Sequence, residues 1–451
     1  MSVWKACDLR GVYPADISAP LLDRVGAAVG TGLPVGARVL IAGDFRASTP
    51  ELKNALARGL AGAGARVLDA GLVPTPVAYF ARGHLKADGV LIVTASHNPP
   101  DHNGLKLMLG ELPPTPQDLE QLRRRAEQGP LRSAAGSVER VDVVPDYLTW
   151  IVARWHGVGR NLKVVLDAGN GAWSELGPVI FERLGFQVER LYCEVDGRFP
   201  NRSPDTARPA NLTALQRRVR ETGAKLGVAW DGDGDRVAFV DETGVVVTTD
   251  QMAVILVRGL LDGAHPEKVV HDVKLSDVVR RAVLERGGVP LMERSGHAFI
   301  KRRMIGENCL LGCEASGHYF FRELSGGDDG LFAALLVCEM VERGGGLARL
   351  RLAVPAVYAT PDIRLRRAAL SYEETLRRLE ALPLWTGRSQ IDGVRLEAAE
   401  GSVLVRTSVT EDAYTIRIEG RDDATLERLC QACLAALPEM AGEIRELIQR
   451  G

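Results

Sequence analysis

The chain has no disulfide framework to offer. Its 451 residues include only 7 cysteines, an odd number scattered along the length, which fits a reducing compartment and excludes a disulfide-stapled miniprotein. It also lacks a dominant charge. Lysine and arginine total 56 against 58 for aspartate and glutamate, a formal net charge of -2, so neither nucleic acid nor an anionic membrane is favoured as a partner. Long apolar runs are missing too. The longest candidate, Leu331 to Val341, already contains Glu339 and falls short of the roughly 18 residues that a membrane span needs. The start of the chain, from Val3 through Lys5 to Asp8 and Arg10, carries acid and base where a signal peptide needs a greasy stretch, so the cytoplasm is the default location. No low-complexity tract appears. What is present, 46% hydrophobic and 25% charged residues, is the balance of a soluble globular protein. The length predicts about three domains.

One segment type recurs. An apolar strand-like run, a polar turn, a helical stretch, a glycine and a second strand-like run occupy Arg38–Ala70, return at Lys163–Tyr192 and start again near Lys268. Short β-branched runs alternating with amphipathic helices predict βαβ units on parallel sheets. Copies this widely spaced predict three related α/β domains and not a solenoid. Each copy is followed by an apolar run that ends in a polar loop. Gly89–Val93 leads into Thr94-Ala95-Ser96-His97-Asn98-Pro99, Leu226–Trp230 into Asp231-Gly232-Asp233-Gly234-Asp235-Arg236, and Cys309–Gly312 into Cys313-Glu314-Ala315-Ser316-Gly317-His318. Ligands of open parallel sheets collect beyond the carboxyl ends of the strands, so three such loops imply one site assembled between domains. After about Pro355 the pattern changes to a helix over Tyr372–Leu382, strands at Val403–Arg406 and Ala413–Glu419, and an amphipathic helix from about Asp423. The expected division is therefore an α/β domain over 1–142, a second over 143–243, a third over 244–354, all with mixed, largely parallel sheets, and a smaller α+β domain over 355–451.

The acidic loop is the strongest chemical signal. Asp231, Asp233 and Asp235 alternate with glycines, so three carboxylates can converge without crowding. Like charges this close repel, and a hard divalent cation bound through oxygen resolves the repulsion. An EF-hand is excluded, because its sixth position would be Arg236 and not glycine, and the strand-like run Val237–Val240 fills the loop's middle. The bland alternative is a structural calcium site or a bare turn. Arg236, beside the carboxylates, suits a phosphate. Ser96 is a candidate hydroxyl nucleophile; alone it would read as a turn serine, but it follows an apolar strand just as the other two loops do. Lys106 could reach back as a proton acceptor or a charge clamp. His97 does not make a Ser-His hydrolase, since adjacent side chains point apart and Gly-x-Ser-x-Gly is missing. Glu314, Ser316 and His318 alternate, and an extended segment would set all three on one face, a surface for reading sugar hydroxyls. His297 and Lys301 lie just upstream, and Lys274 sits in a turn of its own. Arg406, Ser408 and Thr410, with Arg417, suit a phosphate, against a solvated hairpin as the alternative. Cys430 and Cys433 share one helical face with Leu426, Leu429, Leu434 and Leu437, which makes core packing the better reading than zinc.

The order Thr-Ala-Ser-His-Asn-Pro at 94–99, Asp-Gly-Asp-Gly-Asp-Arg at 231–236 and Glu-Ala-Ser-Gly-His at 314–318 resembles that of the α-D-phosphohexomutases, the phosphoglucomutase/phosphomannomutase superfamily. The resemblance runs from Asp8-Leu9-Arg10-Gly11 to Arg406–Thr410. It implies four domains around a deep central cleft. It implies that Ser96 is a phosphoserine that gives its phosphoryl group to a sugar phosphate. The resulting hexose 1,6-bisphosphate, also the activator, would turn end for end and return its other phosphate to Ser96. Asp231, Asp233 and Asp235 would hold Mg²⁺, which also touches the Ser96 phosphate, and Arg236 would help offset the charge on the transferring group. Lys106 and His297 would serve as general acid and base. Glu314 and Ser316, with His318 beside them, would read sugar hydroxyls; Arg406, Ser408 and Thr410 would grip the phosphate not being transferred; Lys274 and Arg10 match further cleft positions. The expected partners are small sugar phosphates, the expected assembly a monomer or homodimer.

The run from Glu314 to Phe321, followed by Gly327-Asp328-Asp329-Gly330, resembles the phosphomannomutase/phosphoglucomutase branch; the phosphoglucosamine mutase branch usually has Gln at the variable position of Glu-x-Ser-Gly-His. Mannose and glucose phosphates are the expected substrates, with glucosamine phosphate as the alternative. Val409, Glu411, Asp412 and Cys7 depart from the family pattern. They motivate a second alternative, a sugar-phosphate-binding relative with weakened turnover. A third is a Mg²⁺-dependent phosphatase with Asp231 as nucleophile.

Overall fold

The runs Arg38–Gly43, Gly89–Val93 and Leu226–Trp230 are apolar at successive positions, the mark of strands covered on both faces. The computed structural model describes residues 3–160, 162–366, 369–407 and 413–450, and in it these runs are buried strands flanked by helices. The first sheet holds β1 (Leu9–Val12), β2 (Arg38–Gly43), β3 (Arg66–Leu72), β4 (Gly89–Val93), β5 (His102–Leu109) and β6 (Ser137–Arg140), in the order β1-β5-β4-β2-β3-β6. The second holds β7 (Lys163–Asp167), β8 (Gln187–Leu191), β9 (Leu226–Trp230), β10 (Val237–Asp241) and β11 (Val246–Val247), in the order β11-β10-β9-β7-β8. The third holds β12 (Lys268–Asp272), β13 (Val289–Glu293), β14 (Leu311–Cys313), β15 (Tyr319–Phe321) and β16 (Gly327–Asp328), in the order β13-β12-β14-β15-β16.

The three sheets share one topology. In each, a βαβ unit supplies two parallel neighbours (β2 and β3, β7 and β8, β12 and β13), a third parallel strand follows (β4, β9, β14), and the next strand (β5, β10, β15) returns antiparallel to it. An antiparallel return needs only a short connection. That is why each domain carries one tight loop at the same place, just beyond the third parallel strand, and why the three loops can meet. The fold class is thus α/β with mixed sheets. Two details differ from the sequence reading. The strand expected at Cys309–Gly312 lies at Leu311–Cys313. β11 pairs with β10, so the second sheet runs past the expected boundary at 243.

The fourth sheet is antiparallel throughout: β17 (Tyr358–Ala359), β18 (Ile363–Arg366), β19 (Trp385–Ser389), β20 (Val394–Ala398), β21 (Gly401–Thr407) and β22 (Ala413–Gly420). Its helix Tyr372–Glu380 starts where the Ser371 hydroxyl accepts the Glu374 N–H, and the helix Asp423–Ala436 starts on the Asp422 carboxylate, both N-caps of the usual kind. Ser408, Val409, Thr410, Glu411 and Asp412, between β21 and β22, lie outside the described residues. No helix among the described residues is long and apolar enough to cross a membrane.

One apolar cluster runs through the first three domains, from Leu40 and Val90 through Trp173 and Trp230 to Leu311 and Phe332. The fourth domain has a core of its own around Ile363, Leu396, Val403 and Ile416, where Cys433 is buried and Cys430 packs alongside as the helical spacing predicts. Its junction with the third domain is polar. Glu419 accepts from the Ser276 hydroxyl and from the Asp277 N–H at 2.9 Å, and Arg417 lies 3.7 Å from Asp250. Burial therefore welds domains one to three, while the fourth is held by exchangeable hydrogen bonds.

His271 is buried on β12, 2% exposed, and burial pushes its imidazole down to about 4 from 6.5. The unfolded chain binds a proton that the folded chain refuses, so stability is present above pH 6.5 and is lost as pH falls toward 4. Between pH 7 and pH 5 the loss is about 2 kcal/mol. His271→Leu should remove it: the thermal midpoint of the variant should fall less than that of the wild type over this interval, and parallel falls would refute the assignment.

Candidate active site

The first loop must turn back from β4 into β5 within a few residues. Ser96 does so with a φ of 48°, in the left-handed region that a non-glycine residue seldom adopts. Neighbouring groups hold it there. Its N–H donates to the Thr94 hydroxyl at 2.9 Å, and that hydroxyl donates to Asp44 Oδ2 at 2.7 Å. Arg10 donates to the Ala95 carbonyl at 2.6 Å and to Asn98 Oδ1 at 3.0 Å, and pairs with Asp8. Arg10, expected at a cleft position, is thus a brace of the serine loop. The result is a buried Ser96 whose Oγ donates to Asp231 Oδ2 of the second domain at 2.6 Å. His97 lies 3.4 Å from the same Oγ, and burial together with Arg236 keeps its imidazole well below its usual range.

The second loop packs directly onto the first. A Cβ on Gly232 would come within 2.5 Å of the Ser96 carbonyl, and one on Gly234, at φ +84°, within 2.3 Å of Trp173 Nε1. Glycine is required at both by close approach, not only by backbone freedom. Asp231, Asp233 and Asp235 are each at most 1% exposed, with one ligand atom apiece inside a 4.8 Å group. Asp231 Oδ1 is fixed by the N–H groups of Gly234 and Arg236 at 3.0 and 3.2 Å. Asp233 Oδ2 accepts from Thr75 at 2.8 Å, Thr94 at 3.1 Å and Lys106 at 2.7 Å, whereas its Oδ1 is buried with no hydrogen-bond partner. Hard oxygens converging on one point, with a buried lone pair left over, fit a hard divalent cation.

Charge is balanced across domains. Burial and the two neighbouring carboxylates push the Asp231 carboxyl up to about 7. Burial opposes ionisation of Asp235 as well, but Lys106 and His318 outweigh it and hold this carboxyl well below its usual range. Lys106, 2% exposed, bonds Asp233 and Asp235 together; burial disfavours its cation, yet the two carboxylates raise its pKa well above normal. In this arrangement Lys106 of the first domain ties together two carboxylates of the second.

The third loop is not extended. Glu314 N–H donates to the His318 carbonyl and Gly317 N–H to the Glu314 carbonyl, both at 3.0 Å, so the segment is a tight turn with Gly317 at φ +93°. The three side chains meet all the same, because the turn folds them inward: His318 Nδ1 lies 2.9 Å from both Ser316 Oγ and Glu314 Oε2, and Nε2 lies 3.1 Å from Asp235 Oδ1. Burial works against the imidazolium, but Asp235 and Glu314 hold it up to about 10. The turn is also stitched to the second domain, since Val237 N–H donates to the Gly317 carbonyl at 3.1 Å.

His297 opens the helix His297–Gly306, its ring centroid 6.0 Å from that of His318; desolvation and Lys106 push it down to about 4, so it is a neutral acceptor at neutral pH. Arg236 lies 3.9 Å from Asp231 and is partly exposed. Lys301 is buried 3.3 Å above the Tyr79 ring and 3.8 Å from Asp328, whose other carboxylate oxygen lies 3.7 Å from His318. Cys7 lies beside Gly296, its thiol pushed up to about 12 by burial, Asp8 and Glu314. Lys274 and Arg406 line up at the third–fourth domain junction through a chain of bonds. The Lys274 N–H donates to Asp272 at 3.0 Å, Ser295 Oγ donates to Asp272 at 2.6 Å, Ser295 N–H donates to Asp392 at 3.3 Å, and Arg406 donates to Asp392 at 2.9 Å. Arg417, grouped with Arg406 on sequence, instead faces Asp250.

Sequence reasoning missed a set of carboxylates at the end of the first strand of each repeat. Asp44 holds the serine loop through Thr94. Asp167 holds Arg202 at 2.9 Å, and Arg202 donates to the Trp230 carbonyl at 2.7 Å, just before the aspartate loop. Asp272 accepts the Ala315 N–H of the third loop at 3.2 Å. The signal was available: aligning the three βαβ repeats puts an aspartate at the same strand end each time.

Asp233→Asn should leave Lys106 with one carboxylate fewer and the orphaned oxygen neutral. Calorimetric titration with Mg²⁺ should show affinity weakened by about tenfold or more, the cost of removing one charged ligand. Unchanged affinity would mean that the cage is not the cation site.

Comparison with known proteins gives four family matches that cover most of the chain. The models described as phosphoglucomutase/phosphomannomutase alpha/beta/alpha domains I, II and III match residues 2–132, 146–244 and 248–358, and the C-terminal domain of the same family matches 352–436. A phosphomannomutase/phosphoglucomutase of Pseudomonas aeruginosa is 36% identical over 438 residues, 95% of this chain and 94% of the relative. A phosphoglucomutase of Neisseria gonorrhoeae is 33% identical over 437 residues, 95% of each chain. Among solved structures, a phosphoglucomutase/phosphomannomutase family protein of Burkholderia thailandensis superposes with a TM-score of 0.89 at 34% identity, covering 97% of this chain and 98% of that one.

Proposed function

Because the chain belongs to the phosphoglucomutase/phosphomannomutase family, we propose that it interconverts the 1-phosphates and 6-phosphates of glucose and mannose, with Ser96 as the phosphoryl carrier. It is a phosphohexomutase, an enzyme of the isomerase class. The observation that carries the reading is the 2.6 Å contact between Ser96 Oγ of the first domain and Asp231 Oδ2 of the second, inside a carboxylate cage completed by Lys106 and His318.

The chain's own groups divide the work of one transfer. A sugar hydroxyl gives its proton to the neutral imidazole of His297 and forms a bond to phosphorus as the bond from phosphorus to Ser96 Oγ breaks, and the departing Ser96 oxygen takes a proton from water. The product of this half is a hexose 1,6-bisphosphate. After the sugar turns over, the same steps run backwards with the other phosphate. Mg²⁺ held by Asp231, Asp233, Asp235 and an oxygen on Ser96 would supply positive charge against the charge on the transferring group. Arg236 adds a guanidinium on the same side. Glu314, Ser316 and His318 accept and donate to sugar hydroxyls, and their mutual bonds fix them before substrate arrives. Arg406 and Lys274, with Ser408 and Thr410, take the phosphate that is not moving. One chain supplies all of these groups, so the site needs no second copy, and its seven free thiols suit the cytoplasm.

The Arg406 to Asp392 pair favours one second reading, a sugar-phosphate-binding relative with weak turnover, because an incoming phosphate must displace a carboxylate. Assay decides between them. The purified enzyme incubated with hexose 1,6-bisphosphate should carry about 80 Da of extra mass, one phosphoryl group, and Ser96→Ala should carry none and turn over nothing. Full activity in Ser96→Ala would overturn the reading. In coupled assays the 1-phosphates of glucose and mannose should be converted, and glucosamine 1-phosphate much more slowly; binding of all three without conversion would favour the second reading.

A further inference from the structure

Arg46 is among the largest fully buried side chains of the molecule, 1% exposed, and nothing in the mechanism above uses it. A guanidinium has five N–H donors in a rigid fork. Here all five are engaged, three of them on the serine loop and one on the first residue of β5, where that loop ends. Nη2 donates to the carbonyls of Ser96 and Asn98, both at 2.7 Å; Nη1 donates to those of Pro99 and, at 3.2 Å, His102; Nε donates to Asp44 Oδ2 at 3.1 Å. The ring of Phe199, from the second domain, stacks 4.9 Å from the guanidinium, and a Cβ on Gly197 would come within 2.3 Å of the Phe45 carbonyl. The arginine is therefore clamped from both sides, by its own loop and by the neighbouring domain.

The bonds go to backbone oxygens, and one of them belongs to Ser96 itself. Fixing the carbonyl of a residue fixes the plane of its following peptide, and with the Thr94 hydroxyl on its N–H both peptide planes of Ser96 are held. Thr94 and Arg10 brace the N-terminal side of the Ser96 turn, and Arg46 holds the carbonyls on its C-terminal side, so the φ of 48° is fixed from both directions. Asp44 serves both clamps, since it accepts from Thr94 Oγ1 and from Arg46 Nε.

We propose that Arg46 is a positioning residue for phosphoryl transfer: with Asp44 it imposes the left-handed backbone at Ser96 and so aims Oγ across the domain boundary at the carboxylate cage. The inference rests on Ser96 as the phosphoryl carrier. It assigns Arg46 no contact with the sugar. Lysine cannot replace it, because a compact ammonium with three donors does not span four carbonyls and a carboxylate.

Arg46→Lys, Arg46→Gly, Asp44→Asn and Ser96→Ala test it together. With Arg46→Lys the kcat should fall on the order of 100-fold, the effect of misplacing a reacting atom by about 1 Å, while KM for hexose 1-phosphate stays within about twofold. Phosphate uptake from hexose 1,6-bisphosphate, read by intact mass, should slow in proportion. Arg46→Gly should recover kcat at least tenfold with methylguanidine, saturably, and not with methylamine. Asp44→Asn, which keeps a side chain of the same shape, should lose kcat without a change in KM and should not respond to methylguanidine. A merely structural arginine would lower the unfolding temperature and leave the kcat of the folded enzyme near wild type, with no rescue; that result in Arg46→Lys and Asp44→Asn overturns the proposal. If Arg46→Lys does not fold, Asp44→Asn and the rescue of Arg46→Gly decide it. Full activity in Ser96→Ala would instead show that the underlying reading had failed, whatever the Arg46 variants do.

Discussion

Three buried carboxylates whose ligand atoms lie within 4.8 Å of one another set the terms for the rest of the structure. Two unit charges 4 Å apart in such a setting repel by about 4 kcal/mol at an effective dielectric of 20, and this repulsion, with burial, is what pushes the Asp231 carboxyl up to about 7. The molecule offsets this with cations from other domains: Lys106 from the first and His318 from the third, each bonded to the cage. The cage is thus electrically acceptable only when three domains are docked. No single domain contains a complete set of groups.

Docking of that kind needs rigidity on one side and freedom on the other. The apolar cluster shared by the first three domains supplies the rigidity, since burying Trp173, Trp230 and Phe332 in one core leaves no plane along which those domains can part cheaply. The fourth domain has a separate core and meets the third through Glu419, Arg417, Asp392 and Arg395, polar groups that water can replace. In the proposed reaction, transfer tolerates no drift between Ser96 and its cage, whereas a sugar that enters, turns over and leaves would require that one wall can yield. The division of the cores matches those two demands.

Much of this was legible from residues alone, for particular reasons. Strand–loop–strand patterning and the repeated βαβ grammar identified three related domains, because side-chain period and turn residues act locally. The aspartate loop announced itself because glycine between acids has few other uses. What stayed hidden was whatever depends on partners far apart in sequence. The turn at Glu314–His318 looked extended because alternation is ambiguous between a strand and a tight turn whose side chains fold inward. Arg417 looked like a companion of Arg406, and the β21–β22 register does set both on one face of the sheet, but Arg417 pairs with Asp250 whereas Arg406 pairs with Asp392. Lys106 could be placed on a strand from the sequence, but its bonds to Asp233 and Asp235 of another domain could not be read there.

The amino-acid order by itself determined the domain grammar, the three reactive loops and the chemical type of each, because these follow from local propensity and from which functional groups the chain contains. Only the tertiary structure decided what those groups do to one another. The 2.6 Å reach from Ser96 to Asp231, the clamp of Arg46 on four carbonyls and the cation at His318 each join residues from separate segments. Proton affinity, bond direction and backbone strain are set by what surrounds a group in space, and that surrounding exists only once the domains have closed on each other.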